Sequence, residues 1–175
     1  MRVIAGSAKR IALSAPKGLN TRPTSDRAKE SLFNIISVKI AGARFLDVFC
    51  GSGAIGIEAL SRGAKEAVFI DNDVNAIKSL NENLIKTKLH AEILQMPVEK
   101  AIKKLTAEKR QFDIIFLDPP YGSEIFMQPR LLAENGLLVA ETESELKITL
   151  DNLHLFDTRV YGRTKFLFYT NGTPE

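Results

Sequence analysis

Between Arg44 and Thr142 the chain alternates two kinds of apolar patterning. RFLDVFC, AVFID, AEILQ, FDIIFLD and GLLVAET are short, nearly continuous apolar runs, and they predict strands buried on both faces. AIGIEALSR, VNAIKSLNENLIKT and VEKAIKKLTAEK lie between them and predict helices, the first stopped by Gly63. The second of these places Val74, Ile77, Leu80 and Leu84 on one side. Strand and helix in strict alternation imply a parallel sheet covered on both faces. The tail breaks the alternation. HLFDTRVYG and KFLFYT follow each other across a short Gly-Arg turn and predict an antiparallel pair at one sheet edge.

The first 25 residues read differently. RVIA (Arg2–Ala5) and RIAL (Arg10–Leu13) flank GSAK and predict a small β-hairpin. Ser14–Asp26 is rich in turn residues and predicts an extended loop. Pro23, Thr24 and Ser25 then mark a helix start, with Asp26 favoured in the first turn by the helix dipole. Ala28, Leu32, Ile35 and Ile36 would form that helix's apolar face. The expected organisation is one α/β domain, residues 26–175, extended by a basic hairpin and loop, residues 1–25.

Charge separates the two parts. Residues 1–30 hold seven bases against two acids, whereas the remainder holds 17 bases against 19 acids. A basic arm on a near-neutral body points to a polyanionic partner, because neutralised phosphates release counterions. Hydrophobic residues at 45% and charged residues at 26% indicate a globular chain. No apolar run has the length of a membrane span, and MRVIAGSAKR lacks the apolar block of a signal peptide, so a cytoplasmic protein is expected. Cys50 is the single cysteine, which excludes an internal disulfide and a multi-cysteine zinc site. His90 and His154 have no ligand cluster near them in sequence, so no metal is expected.

FLDVFCGSGAIGIEAL places Gly51, Gly53 and Gly56 between a strand and a helix, and Asp71 ends the next strand. Glycines there let the backbone turn tightly and approach a ligand, and an acid at that distance can bind ribose hydroxyls. NAD and S-adenosylmethionine both fit such a turn. Asp47 separates them: a carboxylate beside the turn repels a pyrophosphate but suits a sulfonium and an ammonium. Cys50 adjoins the turn and is expected to pack as a small apolar residue, not to act as a nucleophile.

After the fourth predicted strand stands Asp118-Pro119-Pro120-Tyr121. In an open parallel sheet this falls at the carboxyl ends of the strands, beside the glycine turn. Proline cannot continue the ladder, so Pro119 and Pro120 make a rigid rim. The amine of a nucleobase is a poor nucleophile, because its lone pair is delocalised into the ring. The Asp118 carboxylate and the Pro119 carbonyl can accept both its hydrogens and turn the lone pair toward a methyl donor. The Tyr121 ring can stack on a base that has been unstacked to enter.

In these motifs the chain resembles the 16S small-subunit rRNA guanine-N2 methyltransferases. MRVIAG, RPTSDRAKESLFNII, FLDVFCGSGAIGIEALSRGA, FDIIFLDPPY and RVYGRTKFLFY fall in that family's order. The resemblance implies a Rossmann-like class I methyltransferase fold, a mostly parallel seven-stranded sheet with helices on both faces. It implies S-adenosylmethionine as cofactor and 16S rRNA or an assembling small ribosomal subunit as partner. It assigns Asp47, Gly51, Gly53 and Asp71 to the cofactor, with Phe49, Asn72 and Asp118 completing that set. Asp118, Pro119 and Tyr121 would serve the reaction, and Arg10, Arg22, Thr24, Arg27 and Tyr121 the RNA. A monomer is expected.

Two stretches depart from the family pattern. Gln95, Met96 and Pro97 stand where an acid near the adenine is usual, with Glu99 the nearest replacement. GSEIFMQPRLLAEN, before Gly136, is short, and Pro129 would disrupt a helix there. Other readings remain open on sequence. A DNA adenine-N6 methyltransferase would use the same grip on an amine but would want a target-recognition domain. A protein-glutamine methyltransferase would not need the basic arm. A non-catalytic RNA-binding assembly factor would not need a cofactor cleft. An NAD oxidoreductase is disfavoured by Asp47. The lysines of IKKLTAEKR are expected to form a solvated helix face.

Overall fold

Four of the five predicted apolar runs become the centre of one twisted sheet, whereas AEILQ forms an edge strand with only Leu94 buried. The structure, a computed structural model, describes residues 1–16, 26–120, 122, 124–143, 147–149 and 152–172. Its helices are α1 (Asp26–Ile35), α2 (Ser37–Ile40), α3 (Ala54–Ser61), α4 (Val74–Thr87) and α5 (Val98–Ala107). Its strands are β1 (Arg44–Val48), β2 (Glu66–Asp71), β3 (Glu92–Gln95), β4 (Phe112–Leu117), β5 (Glu124–Phe126), β6 (Leu132–Thr142), β7 (Lys147–Thr149), β8 (His154–Tyr161) and β9 (Thr164–Thr170). Seven of them form a sheet in the order β3-β2-β1-β4-β6-β9-β8, while β5 and β7 pair separately. The first five run parallel, and β9 and β8 close the sheet as an antiparallel edge.

Each central strand is buried on both faces, which is why its sequence reads as a run and not as an alternation. Phe45, Phe69, Ile114, Phe116 and Val139 pack with Leu32, Phe33, Ile57 and Leu80 from α1, α3 and α4. Leu46, Val48, Val68, Ile70, Ile115 and Leu138 pack on the other face with Val98, Ala101, Ile102 and Leu105 of α5. The chain runs outward from β1 to β3, then returns to place β4 on the other side of β1. Such a reversal leaves a crevice beyond the carboxyl ends of β1 and β4.

Several local expectations change. Ile35 is 38% exposed and Val74 is 68% exposed, so neither belongs to the apolar face of its helix. Phe33 takes the buried place at the end of α1. Val74 is the first residue of α4, three residues past the end of β2, and has no sheet beneath it. GLLVAET is the second part of a longer strand that starts at Leu132, with Asn135 at φ 57° and a register shift between Phe112 and Ile114. Pro129 opens a single 3-10 turn, Pro129–Leu131, where its missing amide hydrogen costs nothing. The expected loop Ser14–Asp26 and the helix start at Pro23, Thr24 and Ser25 fall largely or wholly outside the described residues.

The N-terminal hairpin forms with little ladder of its own. One antiparallel bridge joins Arg2 and Ala12, and Val3 N–H reaches the Ile11 carbonyl at 3.0 Å. Its attachment to the body is stronger. Glu58 of α3 accepts from Ile4 N at 2.8 Å, Ala5 N at 3.0 Å and Arg62 Nε at 2.7 Å. Lys29 of α1 lies 3.3 Å from Glu58, with both side chains fully buried, and donates to the Arg2 carbonyl at 2.7 Å. Burial pulls the Lys29 ammonium below the ordinary lysine range, and Glu58 opposes that shift. One carboxylate therefore fastens three segments that are far apart in sequence.

Removing Glu58 strands a buried ammonium and two amides. Glu58→Ala is expected to lower unfolding free energy by roughly 3–5 kcal/mol in urea titration. Lys29→Met is expected to cost clearly less, because Glu58 keeps its two amide donors and Arg62. Equal losses for the two variants would refute this account of the network.

Candidate active site

The crevice beyond β1 and β4 is built around a carboxylate that the fold buries. Asp47 is 2% exposed and sits one residue before the end of β1. Its Oδ2 accepts from Gly56 N–H at 2.8 Å, inside the first turn of α3. An acid at a helix N-terminus meets unsatisfied amides and a positive dipole end. Burial nevertheless holds the Asp47 carboxyl well above the ordinary range; the Gly56 N–H opposes the shift, and Asp118, Asp71 and Glu141 add to it by repulsion.

The chain between Asp47 and α3 makes the predicted turn, with one residue under strain. Phe49 has φ 61°, a conformation costly for a bulky side chain. Its ring packs against the α5-side core, and the next amide, Cys50 N–H, donates to Ile70 O at 3.0 Å. Two glycines are required for different reasons. Gly53 has φ 77°, and a side-chain carbon there would meet Leu80 at 2.3 Å. Gly56 packs flat against β2, where such a carbon would meet the Phe69 ring at 2.4 Å. Gly51 faces open space, with nothing within 4 Å of a built side-chain carbon.

Asp71 faces this turn from the end of β2. Its Oδ2 accepts from Gly51 N–H at 2.9 Å and its Oδ1 from Asp73 N–H at 2.9 Å. Both oxygens keep lone pairs for a further partner. Asn72 is exposed beside it. Asp118 follows β4, and its N–H donates to the Val48 carbonyl at 3.3 Å, one residue past Asp47. As a whole residue it is exposed at the rim of the cleft. Loss of hydration within the cleft pushes its carboxyl up to about 6, and Glu143 adds to the shift. Pro119 is half-buried and Pro120 exposed at the rim. Tyr121 lies outside the described residues.

The structure thus brings Asp47, Phe49, Gly51, Gly53, Asp71, Asn72, Asp118 and Pro119 to one end of the sheet. Arg10 and Arg27 are elsewhere. With Arg2 and Lys9 they line a groove of about 410 Å³ between the hairpin and α1, where Asp26 and Glu30 also stand. Arg22 and Thr24 lie outside the described residues. Near β3, Met96 packs partly into the core, Pro97 caps α5, and Glu99 is exposed in its first turn.

Burial pushes the Cys50 thiol well above its ordinary value, which disfavours the thiolate. Among the described residues no group of three or more His, Cys, Asp or Glu side chains could hold a metal ion, and no helix is long and apolar enough to cross a membrane.

Four contributors were not found from sequence. Asn83 is fully buried on α4 and bonds to both Ser14 and Ser52. A polar residue beside Leu80 and Leu84 on an apolar stripe was the available signal. Glu58, the lone acid of AIGIEALSR, was marked in the same way. Glu141 and Glu143 act on the site through charge, and only the three-dimensional neighbourhood of β4 and β6 reveals them.

The profile of the family described as Conserved hypothetical protein 95 matches residues 1–170. The chain belongs to that family. A Bacillus subtilis relative, YlbH, is 39% identical over 97% of this chain and 98% of its own. Ribosomal RNA small subunit methyltransferase D of Haemophilus influenzae is 34% identical over 98% of this chain and 94% of its own. These relatives bear out the resemblance read from the motifs. The solved Thermus thermophilus protein TTHA0928 superposes with a TM-score of 0.79 at 30% identity, over 96% of this chain and 98% of that one. A T. thermophilus 16S rRNA N2 G1207 methyltransferase, solved with AdoMet and guanosine, gives 0.67 at 22% identity, over 89% of this chain and 45% of that one, and shares the fold. The fold is the Rossmann-like methyltransferase fold expected from the sequence, mostly parallel with an antiparallel edge.

Asp47 holds its proton at pH values where the unfolded chain has released it. Stability therefore falls as pH rises from the ordinary aspartate range, about 4, toward the folded value. Asp47→Asn keeps an acceptor for Gly56 and removes the charge. It is expected to raise the urea midpoint near neutral pH and to flatten that part of the pH dependence. Asp47→Leu leaves the Gly56 amide unmet and is expected to cost about 1–3 kcal/mol. A midpoint lowered equally by both variants would contradict this reading of the site.

Proposed function

We propose that this protein is an S-adenosylmethionine-dependent methyltransferase acting on the exocyclic N2 amine of a guanine in 16S rRNA. The observation that carries the reading is the juxtaposition across β1 and β4. The Asp118-Pro119 rim is bonded to the end of β1, one residue from the buried Asp47 that anchors the glycine turn. The relatives named as rRNA small-subunit methyltransferases support the substrate class. The solved 16S rRNA N2 methyltransferase with AdoMet and guanosine supports the cofactor and the amine through a shared fold.

The residues fit the cofactor. Asp71, Asp118 and Glu141 place negative charge around Asp47 at the turn, which favours a sulfonium and an ammonium over a pyrophosphate. Asp47, Phe49, Gly51, Gly53, Asp71 and Asn72 would hold it, with Asp118 between it and the base. When bound, S-adenosylmethionine supplies a methyl group made electrophilic by the sulfonium. Asp118 and the Pro119 carbonyl accept the two hydrogens of the guanine amine and orient its lone pair. Tyr121 offers a ring for the base. Once methylated, the nitrogen is acidic and loses a proton without a strong base, Asp118 being within reach. Positioning carries most of the rate effect.

In the same reading, residues 1–25 are the RNA-holding arm of the domain formed by 26–175. Arg10 and Arg27, with Arg22 and Thr24, take the RNA backbone, and the groove that Arg10 and Arg27 share with Arg2 and Lys9 gives phosphates a basic wall. Work on a small ribosomal subunit would set the protein in the cytoplasm.

The test is transfer of radiolabelled methyl groups to undermethylated small subunits and, in parallel, to naked 16S rRNA and DNA, with the product digested to nucleosides. Label is expected in N2-methylguanosine; label in N6-methyladenosine would overturn the substrate reading. Asp118→Ala is expected to bind S-adenosylhomocysteine as the native protein does and to lose transfer by at least a hundredfold, on the order of what a positioned catalytic group contributes. The acceptor form of Asp118 is the ionised one, so kcat/KM should rise with pH through about 6. A profile flat from about pH 5 to about pH 8 would remove Asp118 from the role of acceptor.

A further inference from the structure

We propose that Asn83 is a positioning residue that locks the N-terminal hairpin to the glycine turn, so that RNA and cofactor bind with positive coupling. The proposal rests on the functional reading above. The Asn83 side chain is fully buried, in the third turn of α4. Its Oδ1 accepts from Ser14 N–H at 2.8 Å, and its Nδ2 donates to the Ser14 carbonyl at 3.0 Å and to the Ser52 carbonyl at 3.0 Å. Ser52 lies between Gly51 and Gly53, and Ser14 is the residue at which the chain leaves the hairpin. A single planar amide therefore spans the two segments.

The geometry makes this bond set a linkage and not only a brace. Both Nδ2 hydrogens are committed, one to each segment, so a shift of Ser14 must either move Ser52 or leave a buried polar group unmet. Lys86, one turn further along α4, donates to Ser14 Oγ at 2.6 Å from the solvent side and steadies Ser14 without touching Ser52. Among the hairpin's other anchors, Lys29 of α1 donates to the Arg2 carbonyl, and Glu58 and Ser61 hold it from the second half of α3, Ser61 Oγ accepting from Ala8 N–H at 2.9 Å. Among the described residues, Asn83 thus reports the hairpin's position directly to the turn. A hairpin steadied by RNA on Arg2, Lys9 and Arg10 holds the turn in the geometry seen here, and a filled turn steadies the hairpin in return, as linkage requires.

The experiment titrates S-adenosylhomocysteine calorimetrically into the full chain, with and without a saturating 16S rRNA transcript. The native protein is expected to bind about five- to tenfold more tightly with RNA present. Asn83→Ala, checked for folding by circular dichroism, is expected to lose about tenfold in affinity without RNA and to bring the ratio near one. Lys86→Ala is exposed and should fold; it is expected to bind S-adenosylhomocysteine alone as the native protein does, with a reduced ratio. A merely structural role would shift affinity but leave the ratio alone. A native ratio of one, or a ratio retained in folded Asn83→Ala, overturns the proposal. If Asn83→Ala does not fold, Lys86→Ala decides: a lowered ratio supports it and a retained ratio overturns it. Failure of the native protein to bind either probe would instead overturn the functional reading beneath it.

Discussion

A carboxylate buried at the end of the first strand is the constraint on which the rest of this structure depends. Asp47 accepts from the Gly56 amide and so fixes the entry angle of α3. That angle presses α3 onto β2 so closely that only a glycine fits opposite Phe69. Between these points the chain has few ways to connect, and the connection is the turn with Phe49 in the left-handed region. Strain at Phe49 is tolerated because the packing of its ring and the neighbouring amide over-determine it. The cleft is a consequence of how one helix is capped.

The same helix fastens the basic arm. Glu58 and Ser61 present acceptors to hairpin amides that a two-stranded ribbon of this length could not satisfy by itself. The hairpin needs α3 to exist as structure, and the cleft needs α3 to hold its turn. The buried Lys29–Glu58 pair is costly to desolvate, and its worth lies in specifying one docking geometry for three segments. A purely apolar contact could stabilise the hairpin equally but would fix its register less sharply.

Most of the fold was legible because parallel strands buried on both faces announce themselves as runs. α4 matches its predicted bounds, Val74–Thr87, because its asparagines and lysines punctuate a regular stripe and Asp73 caps it through Ala76 N–H. Legibility failed where burial depends on what lies below a helix end, as at Val74 and Ile35. It failed again where a polar residue is buried by design. Lys29, Glu58 and Asn83 read as ordinary helix-surface residues, since only the partner segments, 27 to 69 residues away in sequence, show why they are inside. The glycine turn, Asp71 and Asp118 were readable as a candidate site because their chemistry is local to strand ends. The electrostatic contribution of Glu141 was not, because it arises from the pairing of β4 with β6.

The charge at the sheet end carries the chemical argument furthest. Asp47 is raised by burial and further by Asp71, Asp118 and Glu141, so it sits in the unfavourable field of three other acids. A fold that needed only a helix cap at Asp47 could use an asparagine without this cost. A ligand that brings positive charge relieves the repulsion, and one that brings phosphate increases it. The relief is largest for Asp47 and for Asp118, the two that burial and the cleft already disfavour as anions. A cationic ligand at the turn would therefore help to ionise Asp118, and an ionised Asp118 is what a delocalised amine requires as its acceptor. In the proposed reaction a filled cofactor site would favour the ionised acceptor, across the two adjacent strands where the sheet reverses its order.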